Sequence, residues 1–207
     1  MIDTTSRAAI GVLKRELGWS STISVGLAIF FSQRRQRPFG DLAPATDAKE
    51  RGSRDQAGPA ILLYRALLKR MSGTDALELT QKVVDASAVA FLQQTIGPLN
   101  RQTLQAMSAE ERMSFVRLRL DRFPNMTYEL HQVDPDTVRF TVNSCRLHSL
   151  AVHAGHPELG STFCSGDARF FGDVQPDVTL ERSTTLASGG ASCPFVLRLR
   201  ADIDKPR

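Results

Sequence analysis

Three cysteines, Cys145, Cys164 and Cys193, and three of the four histidines, His148, His153 and His156, fall in the last third of this 207-residue chain. Thiols in such positions support three chemistries. They fill gaps in a core, as free cysteine commonly does. They bind a metal, with Cys145, Cys164 and Cys193 joined by His153 or Asp167, and zinc is the ion such ligands suit. Or one of them is a nucleophile, which requires a neighbouring base or a helix N-terminus to make it a thiolate. The gaps of 18 and 28 residues between the cysteines match no short zinc signature. Asp167 follows Cys164 by three residues, which on a helix puts both on one face. Phe163, Phe170 and Phe171 would wall such a pair. Desolvation there would raise the carboxyl pKa and suit it to general acid or base work, unless Asp167 merely pairs with Arg169 or Arg182. No phosphate-binding glycine loop, G-x-S-x-G, H-E-x-x-H or C-x-x-C is present.

These residues need elements to hold them. Residues 1 to about 32 read as a helix, followed by a polar, mobile loop or arm over Asp41 to Gly58. Pro59 to Arg70 reads as a helix with proline in its first turn. Thr74 caps a second that runs to Gly97, and a third covers Gln102 to Phe123 with a break near Ser108. The period then changes to two. Tyr128–Val133 and Thr137–Val142 flank Asp134-Pro135-Asp136 as a hairpin. Helical spacing returns from Cys145 to Gly155 and from Pro157 to Phe171. Two last strands, Val178 to Leu186 and Phe195 to Leu199, are joined at Ser188-Gly189-Gly190-Ala191. The expected fold is α+β: N-terminal helices on a four-stranded antiparallel sheet of two hairpins separated by two short helices. Residues 1–58 are an N-terminal helix and arm, and 59–207 a single α+β domain.

Cys145-Arg146-Leu147, His156-Pro157-Glu158-Leu159-Gly160, Phe163-Cys164-Ser165-Gly166-Asp167, Phe170-Phe171, Leu180 to Gly190 and Cys193-Pro194-Phe195 come in an order that resembles the L-2-amino-thiazoline-4-carboxylic acid hydrolase family. The resemblance runs from Tyr128 to Arg200, with weaker helical agreement from Ile61 to Phe123. Pro194 departs from the acid usual after the last cysteine, and residues 1–58 have no counterpart. The resemblance implies hydrolysis of a C–N or C–S bond in a small cyclic amidine-like compound, the reference case being opening of the 2-aminothiazoline ring to N-carbamoyl-cysteine. It implies Cys164 or Cys145 as nucleophile or metal ligand and Asp167 as the proton-transferring group. Arg182 would pair with a substrate carboxylate. Thr184, Cys193 and Phe170 would complete the substrate site, and the amides of Gly189 and Gly190 could hold a developing anion.

Composition narrows the class. With 26 basic against 22 acidic residues the field is too weak for a nucleic-acid partner. The apolar stretch Trp19 to Phe31 is shorter than the roughly 20 residues of a membrane span and reads as a buried first helix, or as a membrane-surface helix. Gln33-Arg34-Arg35-Gln36-Arg37 follows it, where a signal peptide needs small residues. The odd, low cysteine count fits a reducing, cytoplasmic compartment. A rival reading is a non-catalytic small-molecule, lipid or metal-binding module with the fold of vinyl-reductase-type sensors and vesicle-tethering subunits. A third is a homo-oligomer or other assembly in which Trp19 to Phe31 packs on another subunit.

Overall fold

The computed structural model describes residues 3–35 and 37–200, so the expected helix start at residues 1 and 2, Gln36 of the basic run and the end of the domain at 201–207 lie outside the described residues. Helix α1 (Thr4–Arg35) bends at Gly18, whose φ of 76° belongs to a conformation glycine adopts without a Cβ penalty. Helix α2 (Ala48–Leu67) starts where Asp47 accepts the amide of Glu50 (2.6 Å), inside the segment expected to be a loop. Pro59 therefore sits in mid-helix rather than in the first turn. Its fixed φ is compatible with the helix, although it removes one amide donor and crowds the carbonyl of the preceding turn. Helix α3 (Gly73–Thr95) is capped by Ser72, two residues before the expected Thr74. The short α4 (Arg101–Gln105) and α5 (Ala109–Leu120) are separated at Ser108, which forms a reciprocal capping box with Glu111.

Strands β1 (Met126–Val133) and β2 (Thr137–Cys145) make the first hairpin. Helices α6 (Arg146–His153) and α7 (Leu159–Arg169), the latter continued by one wider turn over Phe170–Val174, separate it from β3 (Val178–Glu181) and β4 (Cys193–Leu199). The sheet is antiparallel in the order β1-β2-β4-β3. Alternation turns Val138, Phe140 and Val142 of β2 and Cys193, Phe195, Leu197 and Leu199 of β4 inward. Phe140 and Phe195 pair in register and stack at 4.6 Å. Pro194 is tolerated because β3 pairs only with Val196 to Leu199 of β4, so no second ladder needs its missing N–H.

Two cores result. One is purely helical, with Val12, Leu13 and Val25 of α1 packed on Ile61 and Leu67 of α2, Leu79 and Val83 of α3, and Leu147, Leu150 and Leu159 of α6 and α7. The other joins the sheet to the end of α3, α4, α5 and Phe170-Phe171. The expected burial of Trp19 to Phe31 is corrected. Only its inner positions are covered, with Val25 fully buried, while Trp19, Ile23, Leu27, Phe30 and Phe31 are exposed at 47–58%. Spacings of four, four, three and one place those five on one helical face, opposite the face that meets the cores. β3 also ends at Glu181, five residues before the expected Leu186, and Arg182 to Thr185 run as irregular chain.

Candidate functional site around Asp167 and Arg182

Helix α7 and the irregular chain after β3 meet at an ion pair. Arg182 donates from Nη1 to Asp167 Oδ2 and from Nη2 to the carbonyl of Cys164, both at 2.8 Å, and its guanidinium lies 5.0 Å from the centre of the Phe195 ring. Arg182 follows β3 directly, and Asp167 stands one turn after Cys164 on α7, so the pair ties the second hairpin to the helix. Both charged ends of the guanidinium fork are spent inside the protein. The expected pairing of Arg182 with a substrate carboxylate would have to break the bond to Asp167.

The three thiols lie within electrostatic range of this pair: Cys164 feels the charges of Arg182, Asp167, Cys145 and Cys193, and Cys145 those of Cys193 and Asp167. Burial pushes the Cys164 thiol up to about 12 against the pull of Arg182. Burial also raises Cys145, although the amides of His148 and Leu147 at the start of α6 favour its thiolate. Cys193 is buried, and its sulfur accepts the amide of Leu186 at 3.2 Å. Asp167 is pushed above the ordinary carboxylate range by burial, with Arg182 pulling it back down.

The sequence-expected residues divide unevenly. Cys164, Asp167, Cys145, Cys193 and Arg182 are neighbours. Thr184 lies on the irregular chain beside Gly190, where an added Cβ would come within 2.3 Å of its Oγ1. Phe170 is corrected from cavity wall to core: it is fully buried edge-on against Phe171, and Phe171 and Phe195 face the cavity on the sheet side instead. Among the described residues no three His, Cys, Asp or Glu side chains group as metal ligands. His153 is engaged with Asp41 at 2.9 Å, and Asp167 with Arg182.

Asp167 lines two cavities. A small apolar one of about 60 Å³ lies between α5, the end of α3 and the sheet. A large one of about 700 Å³ lies among α1, α2 and α3 and reaches Phe163 and Asp167 on α7. Leu92 and Phe123 border both. Sequence reading assigned no role to α1, α2, α3 or Asn125 at the site. Their apolar positions carry the same helical period whether they face a core or a cavity. Asn125 lines the large cavity, and its Oδ1 is buried with no hydrogen-bond partner among the described residues.

Close packing of α3 on α7 keeps Asp167 in place. A Cβ added to Gly166 would sit 2.4 Å from that of Ala88, and buried Asp85 on α3 accepts a short hydrogen bond from Ser165 on α7. Gly166→Ala should therefore cost about 1–3 kcal/mol by overpacking, read as a lower denaturation midpoint with unchanged m. Wild-type stability in that variant would show that the two helices are free to separate.

An α+β domain of this topology with an acid and an arginine clasped beneath a helical cavity is the setting in which the comparisons fall. The model of the L-2-amino-thiazoline-4-carboxylic acid hydrolase family matches residues 54–197, from within α2 to β4, and the chain belongs to that family. Helix α1 precedes the matched region. No curated protein matches the chain. Among solved structures it is similar to an Fe(II) unliganded H-NOX protein mutant from K. algicida, at 11% identity over 98% of each chain, with a TM-score of 0.37.

Proposed function

We propose that the protein is a hydrolase that opens a C–N or C–S bond of a small cyclic amidine-like compound, with Asp167 moving the proton. The observation that carries this reading is the placement of Asp167: one carboxylate, its proton affinity raised by burial, borders both cavities while Arg182 fixes its position. In the family's reference reaction, water adds to the amidine carbon of 2-aminothiazoline-4-carboxylate. Asp167 takes the proton that water loses, and the carbon–oxygen bond forms. The C=N electron pair moves to the ring nitrogen, which takes up the proton of the added hydroxyl as that oxygen becomes the carbonyl; the ring C–S bond breaks, and the departing sulfur recovers the other water proton from the Asp167 carboxyl. Water and ring become N-carbamoyl-cysteine with nothing left over.

Water rather than sulfur is the nucleophile in this reading. Burial pushes the Cys164 thiol up to about 12, so it stays protonated at pH 7. Cys164→Ser should then keep turnover within about tenfold of wild type, and Cys164 should alkylate slowly with iodoacetamide at pH 7. A loss of a hundredfold or more in that variant, with rapid alkylation of the wild type, would return the nucleophile to sulfur. The zinc expectation is tested by elemental analysis of the purified chain, with stoichiometric metal as the result that would require a different mechanism.

A binding module without turnover is the second reading, and the size of the large cavity favours it. Incubation of the protein with 2-aminothiazoline-4-carboxylate, followed by chromatography for N-carbamoyl-cysteine, separates the two. Product beyond one equivalent supports the hydrolase. Saturable binding with no product supports the module.

A further inference from the structure

We infer that the large cavity is built for a ligand with a sizeable apolar body and a head rich in N–H donors, such as an amidine or primary amine. The inference rests on the proposed role of Asp167 as the reacting end of this cavity. At about 700 Å³ the space is in the range of sites that enclose drug-sized ligands, far larger than one five-membered ring needs. Its walls are mainly apolar, with Ile10, Leu13 and Ile29 from α1, Leu63 from α2, and Val83 and Phe91 from α3.

The polar groups are one-sided. Three aspartates, Asp3, Asp55 and Asp167, line the cavity, and among the described residues no lysine or arginine does. Asp3 and Asp55 are exposed and mark the rim, whereas Asp167 and Asn125 are partly buried. Arg182, the cation next to Asp167, has its fork committed to Asp167 and to the carbonyl of Cys164. A bare anionic chain would meet carboxylates and no free cation, while an N–H-rich head can donate to Asp167.

Three probes isolate the two halves of the claim: acetamidine as a bare head, nonanamidine as the same head on an eight-carbon chain, and nonanoate as that chain on an anion. Calorimetric titration of the full chain should give nonanamidine at least about tenfold tighter binding than acetamidine and tighter than nonanoate. Gly26 lines the cavity, and a Cβ added there meets nothing within 4 Å, so the side chain of Gly26→Leu starts in open space at the cavity wall. That variant should lose tenfold or more for nonanamidine and change acetamidine binding less than twofold. Equal affinity for the two amidines, tighter nonanoate, or equal losses for both amidines in Gly26→Leu would each overturn the inference. Binding is read without turnover, so the two readings fail separately. Tight nonanamidine binding without ring opening removes only the hydrolase, and ring opening without a gain from the chain removes only this inference.

A different observation carries a second proposal: the outer face of α1 rests on an anionic lipid surface. Trp19, Ile23, Leu27, Phe30 and Phe31 form one exposed apolar stripe, and residues 19–33 contain no charged side chain. Basic residues flank the stripe at both ends, Lys14 and Arg15 before it and Arg34, Arg35 and Arg37 after it. Lys14 lies over the Trp19 ring at 4.6 Å. No described helix is long and apolar enough to cross a membrane, so the helix would lie in the interface plane. Pairing with a second copy would bring basic flanks against basic flanks, which charge repulsion disfavours, whereas acidic lipid headgroups complement them.

Co-sedimentation with vesicles of phosphatidylcholine, alone or with about a third phosphatidylglycerol, tests the proposal. The anionic vesicles should capture the protein at least about tenfold better, with the difference falling as salt rises. Trp19→Ser/Leu27→Ser/Phe31→Ser should abolish capture while circular dichroism stays unchanged, since all three side chains are exposed. Equal or absent capture by the two vesicles, or undiminished capture of the triple variant, would overturn the proposal. So would a dimer in light scattering that the triple variant dissociates, which would give the stripe to a second copy.

Discussion

Asp167→Asn is expected to lower ring-opening turnover by on the order of a hundredfold or more, while the protein stays folded. The amide is nearly isosteric with the carboxylate and can still accept the hydrogen bond from Arg182 Nη1, now made at 2.8 Å, so position is preserved and only proton transfer is lost. Burial raises the Asp167 carboxyl above its ordinary range. As a base it must be ionised, so wild-type kcat/KM should fall as pH drops through that raised value, and the Asn variant should lose this acid limb. Turnover within threefold of wild type, with the limb intact, would take Asp167 out of the chemistry. That result would leave Cys145, the other titratable neighbour at the start of α6, to be tested next.

The spacing of Cys164 and Asp167 was readable because helical period alone places residues three apart on one face. The first hairpin is readable because Val138, Phe140 and Val142 alternate with polar residues, whereas the first strand of the second ends five residues short of its expected end, and the break at Ser108 is held by a capping box with Glu111. Local rules end there. Whether Phe170 or Phe171 faces a cavity is decided by the wider turn after α7, which no residue type announces. Trp19 to Phe31 reads as a core helix because its hydrophobicity says nothing of whether a partner element exists to cover the outer stripe. Asn125 looks like an ordinary residue at the start of a hairpin. Its significance appears only when its Oδ1 is found buried and unpaired against helices that precede it by more than thirty positions. Arg182 is the instructive middle case. Its charge marks it both for a substrate carboxylate and for Asp167, and of these two readings the structure shows the pair with Asp167.

That relationship predicts the second large effect. Arg182→Met should destabilise the protein by about 2–3 kcal/mol at pH 7, because it leaves the Asp167 carboxylate without its cation. A fully buried pair would lose about 3–5 kcal/mol, and the value here is lower because 25% of the Asp167 side chain still meets solvent. The sign of the pH dependence follows from the direction of the Asp167 shift. With Arg182 gone, burial acts unopposed, and the folded-state pKa of Asp167 lies further above the unfolded value of 3.8. Stability of the variant is then fully retained below about 3.8 and lost as pH rises through the raised folded value. Denaturation at pH 4 and pH 7 should therefore show a deficit that grows with pH. Adding Asp167→Asn to Arg182→Met removes the stranded charge and should recover most of the loss at pH 7, with the coupling read from the double-mutant cycle. Additive losses would mean that the two side chains contribute to stability independently, and Arg182 would no longer serve as the positioning residue for Asp167.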